Sequence, residues 1–307
     1  MTKLKHYILF ISLFFSSQVL PQDSLSFFEP AHGLHKKRFT YLTAGTGIVY
    51  TGSMIALNQL WYKGHERSVF HFFNDNDEWM QVDKAGHFMS SYYMGFTGER
   101  LLNWSGVQRN KAIWYGGMAG SFFLSSVEIF DGFSEQWGFS YGDMIANLGG
   151  SALFISQEKL WGEQRIKVKY SFHRTPFSDI RPELLGQSFN EELLKDYNGQ
   201  TYWLDFNISS FIPGNDPIPN WLAFSAGYGA KNMLGGENNL IDGLSKDEKN
   251  LKRNRRFYFS LDIDLHKIKT HSEFLNTLLH TFGFIKIPAP AVILKEEGGV
   301  GFDGFYF

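Results

Sequence analysis

The sequence of 307 residues contains no cysteine. Disulfide bonds, thiolate catalysis, zinc sites with cysteine ligands and a lipid-modified cysteine are therefore excluded for these residues. The sequence also lacks an excess of charge of either sign, because 29 Lys and Arg stand against 31 Asp and Glu, a formal net charge of −2. This balance argues against nucleic acid as a partner.

The first residues predict export from the cytoplasm. A short basic stretch, "MTKLKH", precedes the apolar run "YILFISLFFSSQVL" and the polar stretch "PQDSLS". That run has the length of a secretory signal and is too short to span a bilayer comfortably. We predict a signal peptide over residues 1–22, with an uncleaved anchor as the alternative because no A-x-A-like cleavage site precedes the polar stretch. The expected location is the cell envelope, periplasmic or associated with the outer membrane.

Long uninterrupted apolar runs are also scarce after the N-terminus. Aromatic residues, however, form 17% of the chain, a richness typical of membrane and envelope proteins. We therefore expect membrane or envelope components as partners, while the sequence leaves open whether the polar residues also bind a small-molecule ligand.

Helical periodicity predicts a bundle of about four hydrophobic helices. The first segment has no charged residue between Phe39 and Tyr62, so it is long enough to span a membrane, although its small residues equally suit close helix packing. The other three segments are short or interrupted by charge, which favours a bundle that is peripheral to, or partly embedded in, a membrane. The four segments cover residues 39–62, 84–104, 112–130 and 143–161.

After Trp161 the apolar residues recur at every second position, which predicts antiparallel strands with one wet face each. Four strands follow from "IKVKYSFH", "LDFNIS", "LAFSAGYG" and "FYFSLDIDLH", and the terminal "GFDGFYF" predicts a fifth. The prolines of "IPAP" are expected to break a strand or to mark an edge. The fold class is therefore α+β, with a helical domain over residues 23–162 and a small antiparallel β-sheet domain over residues 163–307. We expect the sheet either to pack on the helices or to close partly on itself.

Three polar motifs interrupt the apolar helices. Residues three or four apart on a helix share one face, so the members of each motif project together. Ser140 or Tyr141 is expected to cap the fourth helix, whose first turn places a carboxylate near the positive end of the helix dipole. The expected polar cluster consists of Asp83, Lys84, His87, Glu128, Asp131, Ser140, Asp143 and Asn147.

The stretches "DKAGHFMSS" and "VEIFDGFSEQWGFSYGDMIANLGG" resemble the YfiM-like family of predicted periplasmic lipoproteins of unknown function. More distantly they resemble the VanZ-like membrane family, and the resemblance covers about residues 80–160. The chain departs from the family because it has no cysteine for a lipid anchor and adds a β-rich half. The resemblance implies an envelope location, and it implies no reaction because the family's members have no established activity.

Three interpretations of the polar cluster follow from its residues. In the first, Lys84 and His87 donate to the carboxylates and fix the helices in register, as in a structural or binding protein associated with the membrane. In the second, the carboxylates and the one histidine bind a divalent metal, although paired Glu-x-x-His motifs are missing. In the third, an envelope hydrolase acts on lipid or cell-wall material. Its candidate catalytic residues are His87 as general base, Asp83, Glu128 and Asp143. No cofactor is expected, and the sequence leaves open whether a metal binds.

Overall fold

The helical half of the chain follows the predicted pattern with one difference. The structure is a computed structural model that describes residues 27–59, 66–212, 214 and 217–307, so the predicted signal peptide and residues 60–62 of the first predicted helix lie outside the described residues. The third predicted segment divides in two at Met118. The helices are α1 (Lys36–Leu57), α2 (Val82–Trp104), α3 (Arg109–Gly117), α4 (Ala119–Asp131) and α5 (Tyr141–Leu160).

Glycine allows the helix backbones to approach each other closely. A Cβ atom on Gly120 of α4 would collide with the backbone of Ser91 on α2, and one on Gly150 of α5 would collide with the carbonyl of Phe88. Small residues at such contacts are the usual device for tight helix packing in apolar surroundings. Within the described ranges, no helix is both long and apolar enough to cross a lipid bilayer.

The C-terminal half carries a six-stranded antiparallel sheet in which each strand pairs with its neighbours in sequence. A separate parallel pair, β1 (Phe72–Phe73) and β2 (Phe139–Ser140), lies among the helices. Short helices fill the connections of the large sheet: α6 (Phe177–Ile180), α7 (Pro182–Leu185), α8 (Phe189–Lys195), α9 (Lys246–Lys249) and α10 (Glu273–Thr281). The six strands are β3 (Ile166–Phe172), β4 (Gln200–Asn207), β5 (Leu222–Lys231), β6 (Asn254–Ile263), β7 (Ala289–Lys295) and β8 (Val300–Tyr306). A mixed helix and sheet fold is thus confirmed.

The prediction of five strands is wrong, because β7 is an additional strand. Its sequence contains Pro290, which lacks a backbone N–H and was expected to interrupt pairing. The register between β7 and β8 shifts between Ala289 and Ala291, so an irregularity at the proline lets the strand continue.

The prediction that each strand keeps its polar side chains in water is also wrong. Lys167 and Lys169 of β3 are 4% and 0% exposed, whereas Phe259 of β6 and Phe302 of β8 are 37% and 72% exposed. The polar side chains satisfy one another inside the curled sheet, where Lys169 Nζ lies 2.7 Å from Asp262 Oδ2. The sheet therefore turns a polar face inward and an apolar face outward.

Part of this apolar face supports the helices. Val168 of β3 belongs to a buried cluster with Tyr92 and Phe96 of α2 and Phe154 of α5. A second cluster joins Val82, at the start of α2, to Ala230 of β5 and to Met233 just after β5. The helical and β-rich halves thus share buried side chains, and the boundary between residues 162 and 163 stays a prediction.

Candidate functional site

The backbone before α2 adopts an uncommon conformation that sets the first polar motif in place. Trp79, Met80 and Gln81 have φ values of 47°, 51° and 64°, the left-handed region, which costs L-residues about 1–2 kcal/mol each. Contacts from the β-rich half hold the turn, because Trp79 N donates to Gly236 O at 2.7 Å and the Tyr228 hydroxyl donates to Met80 O. The β-rich half therefore fixes where α2 begins.

Lys84 is the centre of the polar cluster. Its ammonium Nζ lies 2.6 Å from Asp75 Oδ2, 3.0 Å from Asp83 Oδ2 and 3.0 Å from Asp143 Oδ1, and its side chain is 12% exposed. Burial alone would lower the pKa of Lys84, but the charges of Asp83 and Asp143 outweigh burial and raise the pKa above its usual value. Lys84 is therefore charged at every physiological pH and ties α2 to α5 and to the loop before α2.

His87 lies one turn further along α2, at a more open end of the cluster. Its Nδ1 is 3.1 Å from Asn147 Oδ1 and 3.8 Å from Glu128 Oε1, and its Nε2 is 3.8 Å from Asp143 Oδ1. The His87 side chain is 25% exposed, compared with 2% for Glu128. Solvent therefore reaches the histidine edge of the cluster and not the glutamate behind it.

Two buried carboxyl groups retain protons at unusually high pH. Burial raises the pKa of Glu128 to about 8, with further repulsion from Asp143 and Asp131. Burial likewise raises the pKa of Asp143 to about 6, although His87 and Lys84 oppose the increase. At neutral pH Glu128 is therefore mostly protonated, and the cluster holds less negative charge than its composition suggests.

Ser140 caps α5, which confirms the expected position of the helix start. Its hydroxyl oxygen accepts a hydrogen bond from Asp143 N at 3.0 Å and donates its proton to Asp75 Oδ1 at 2.5 Å. Its backbone N–H donates to Glu128 Oε2 at 3.2 Å. One residue thus links the cap of α5 to α4 and to the loop that carries Asp75.

The structure brings the three sequence motifs together. Lys84 and His87 face carboxylates of the cluster, as predicted. The carboxylates that contact Lys84 are those of Asp75, Asp83 and Asp143. Asp131, one turn from Glu128, acts on it through charge repulsion. Asp75 was not among the residues predicted for the cluster. It lies eight residues before Asp83 in the stretch "NDND", whose acidic and amide side chains were the available signal.

Among the described residues, two groups of three side chains have the geometry of metal ligands. His87, Glu128 and Asp143 each offer one ligand atom within 4.8 Å of the others, and so do Asp75, Asp83 and Asp143. In the second group the Lys84 ammonium already lies among the three carboxylates, so a cation is in place. In the first group one imidazole and two carboxylates match the ligand types of a divalent transition metal, and these are the residues that could hold one.

The comparisons with known proteins agree with the location predicted from the sequence. Residues 71–157 match the model of a family described as a predicted periplasmic lipoprotein (DUF2279). The matched range contains all three polar motifs and ends before β3. This confirms the suspected family resemblance and the exported, envelope-associated location. Neither a curated protein nor a solved structure matches the chain.

Proposed function

We propose that this chain, whose residues 71–157 match a family of predicted periplasmic lipoproteins, is a structural or binding protein of the cell envelope. The polar cluster serves as a lock that holds α2, α4, α5 and the loop around Asp75 in one arrangement. The observation that carries the proposal is the Lys84 ammonium, which lies within 3.0 Å of three carboxylates from separate parts of the domain.

A lock of this kind explains why charge is retained inside the helices. Taking charges out of water is costly, and a buried ion pair often contributes little net stability compared with apolar packing. Its advantage is geometric, since any other helix register would leave Lys84 without Asp143 and would leave a buried charge uncompensated. The cluster therefore selects one packing of glycine-rich helices that could otherwise slide past each other.

The hydrolase alternative gains no support from the contacts of the cluster. The Ser140 hydroxyl donates to Asp75 and accepts from Asp143 N, so it acts as a helix cap. His87 contacts the Asn147 side chain at 3.1 Å, and both carboxylates near it lie 3.8 Å away. These contacts join His87 of α2 to side chains of α4 and α5, as a role in helix packing requires.

The two interpretations differ in what happens when His87 is replaced by Gln. As part of a lock, His87→Gln is expected to lower the free energy of unfolding by about 1–3 kcal/mol, because the hydrogen bond to Asn147 is lost. The ability of the variant to complement a deletion strain is expected to follow its stability. Thermal unfolding and complementation are measured on Lys84→Met, His87→Gln and Asp143→Asn together.

Under the proposal, complementation falls in the same order as the melting temperatures of the three variants. A His87→Gln protein that melts like the unmodified chain and still fails to complement would contradict the lock and favour a catalytic histidine. Lys111→Met, an exposed position on α3, is the control for the effect of a lost positive charge.

A further inference from the structure

The outward side of the large sheet carries a continuous apolar surface. Cross-strand register aligns Phe259, Val292 and Phe302 in one row across β6, β7 and β8, and Phe257, Leu294 and Val300 in the next. These side chains are between 37% and 73% exposed. We call the following set the outer sheet face: Phe224, Phe257, Phe259, Leu261, Val292, Leu294, Val300 and Phe302.

The inner side of the same sheet is filled by other side chains. Lys167 contacts Asp264, Lys169 lies 2.7 Å from Asp262, and Trp203 and Tyr258 fill the remaining interior. A sheet in water normally packs its apolar side inward and exposes the polar one. This sheet does the reverse, which is the arrangement expected where the surrounding medium is apolar.

The helices also bury polar groups and expose apolar side chains. On the inside, the hydroxyl groups of Ser91, Ser121 and Ser151 hydrogen-bond one another at 2.8–3.3 Å. On the outside, Phe122 of α4 and Ile145 of α5 are 68% and 72% exposed. Both halves of the chain thus expose large apolar side chains, although the helices also bury an apolar cluster around Tyr92 and Phe154.

We propose that the outer sheet face docks onto the surface of a phospholipid bilayer and inserts its apolar side chains into one leaflet. The proposal specifies the membrane association that the proposed function leaves open, and it does not depend on the polar cluster. Exposed apolar patches of this extent on a soluble protein mark interaction surfaces.

A positively charged cavity at one end of the sheet favours lipid over a second copy of the chain. The cavity has a volume of about 910 Å³ and its lining includes Arg165, Lys267, Lys269 and Glu163. Glu163 pairs with Arg165 at 3.0 Å and with Lys267 at 2.9 Å, so the lining keeps an excess of positive charge that includes Lys269. The cavity lies where β3 begins and where β4 and β6 end, and the outer-face residues Phe224 and Leu261 pair two residues from that end of β5 and β6. Cationic side chains beside an apolar face are suited to the anionic headgroups of a bilayer.

Aromatic residues at the same end of the large sheet also favour a lipid bilayer as the binding partner. Trp161 and Phe211 pack edge to face with ring centroids 5.6 Å apart, and Arg165 lies over the Trp161 ring. Trp221, just before β5, is 42% exposed. Trp and other amphipathic side chains concentrate at the boundary between headgroups and acyl chains.

Vesicle flotation of the full chain tests the proposal. The protein is diluted from mild detergent into vesicles of phosphatidylethanolamine with phosphatidylglycerol, and in parallel into vesicles of phosphatidylcholine. We expect the unmodified protein to float with both and more strongly with the anionic vesicles. The double variant Val292→Gln/Phe302→Gln is expected to bind at least roughly tenfold more weakly, because two side chains no longer enter the apolar phase.

Matched variants distinguish binding through the outer sheet face from nonspecific hydrophobic adsorption to vesicles. Leu194→Gln/Leu240→Gln changes two leucines that are 67% and 76% exposed and lie outside the face, and it is expected to float like the unmodified protein. Lys269→Gln is expected to weaken binding to the anionic vesicles only. Thermal unfolding of every variant verifies that it is folded.

Three outcomes would overturn the proposal. In the first, the unmodified protein stays in the soluble fraction with both vesicle types. In the second, the Val292→Gln/Phe302→Gln variant floats as the unmodified protein does. In the third outcome, sedimentation shows a dimer that the same double variant dissociates while vesicle binding is absent. The outer sheet face would then be an interface between two copies of the chain.

Discussion

Replacement of Lys84 by Met is expected to lower the free energy of unfolding by about 3–5 kcal/mol. The ammonium lies within 3.0 Å of Asp75, Asp83 and Asp143, and its removal leaves these carboxylates facing one another without a counter-charge. For a chain of this size the melting temperature is expected to fall on the order of 10 °C. Thermal and urea unfolding at pH 7, monitored by circular dichroism, measure the change.

The control is Lys111→Met, which removes the same charge from an exposed position on α3 and is expected to change stability by less than about 0.5 kcal/mol. If Lys84→Met unfolded at the temperature of this control, the ammonium would contribute nothing to the helix arrangement. The cluster would then have to be explained by ligand binding or catalysis.

The second large effect is a pH dependence produced by Glu128. Burial raises the pKa of Glu128 in the folded protein to about 8, well above 4.5, the usual value that applies in the unfolded chain. Between these values the folded protein binds the additional proton, so stability is fully present below the lower pKa and is lost as pH rises toward the higher one. The loss is on the order of 5 kcal/mol across that window.

Replacement of Glu128 by Gln removes this proton-linked loss and keeps an oxygen that can accept from Ser140 N. We expect Glu128→Gln to match the unmodified protein at pH 5 and to be the more stable of the two at pH 9. Glu135→Gln, a change of the same type at an exposed position, is expected to leave the pH profile unchanged. Parallel profiles of melting temperature for Glu128→Gln and the unmodified protein would show that Glu128 is ionised throughout and would refute the buried proton.

The sequence was sufficient to predict the features that depend on local pattern. Three- and four-residue spacing placed Lys84 with His87 on one helix face, and the acidic first turn of the fourth helix predicted a cap at Ser140 or Tyr141. Alternation predicted five of the six strands, since β-periodicity is visible without knowledge of the surroundings. The shared helix face, the helix cap and the strands depend on residues that are close in sequence, so they can be predicted from one sequence.

The remaining features depend on contacts between distant residues. Asp75 reaches Lys84 because the left-handed turn at residues 79–81 redirects the chain, and that turn is held by the β-rich half. Periodicity gives two faces to every strand but does not tell which face is buried, so the inward orientation of Lys169 was not predictable. The strand β7 was missed because Pro290 weakens the strand signal, while the register shift that accommodates it exists only once β8 is paired.

The most direct test of the lock is a double-mutant cycle between Lys84→Met and Asp143→Asn. Nζ of Lys84 on α2 and Oδ1 of Asp143 on α5 lie 3.0 Å apart, so the cycle measures the interaction that joins the two helices. The account predicts non-additive losses with a coupling free energy on the order of 2 kcal/mol. Losses that add to within about 0.5 kcal/mol would contradict it, because the two residues would then act independently in the folded protein.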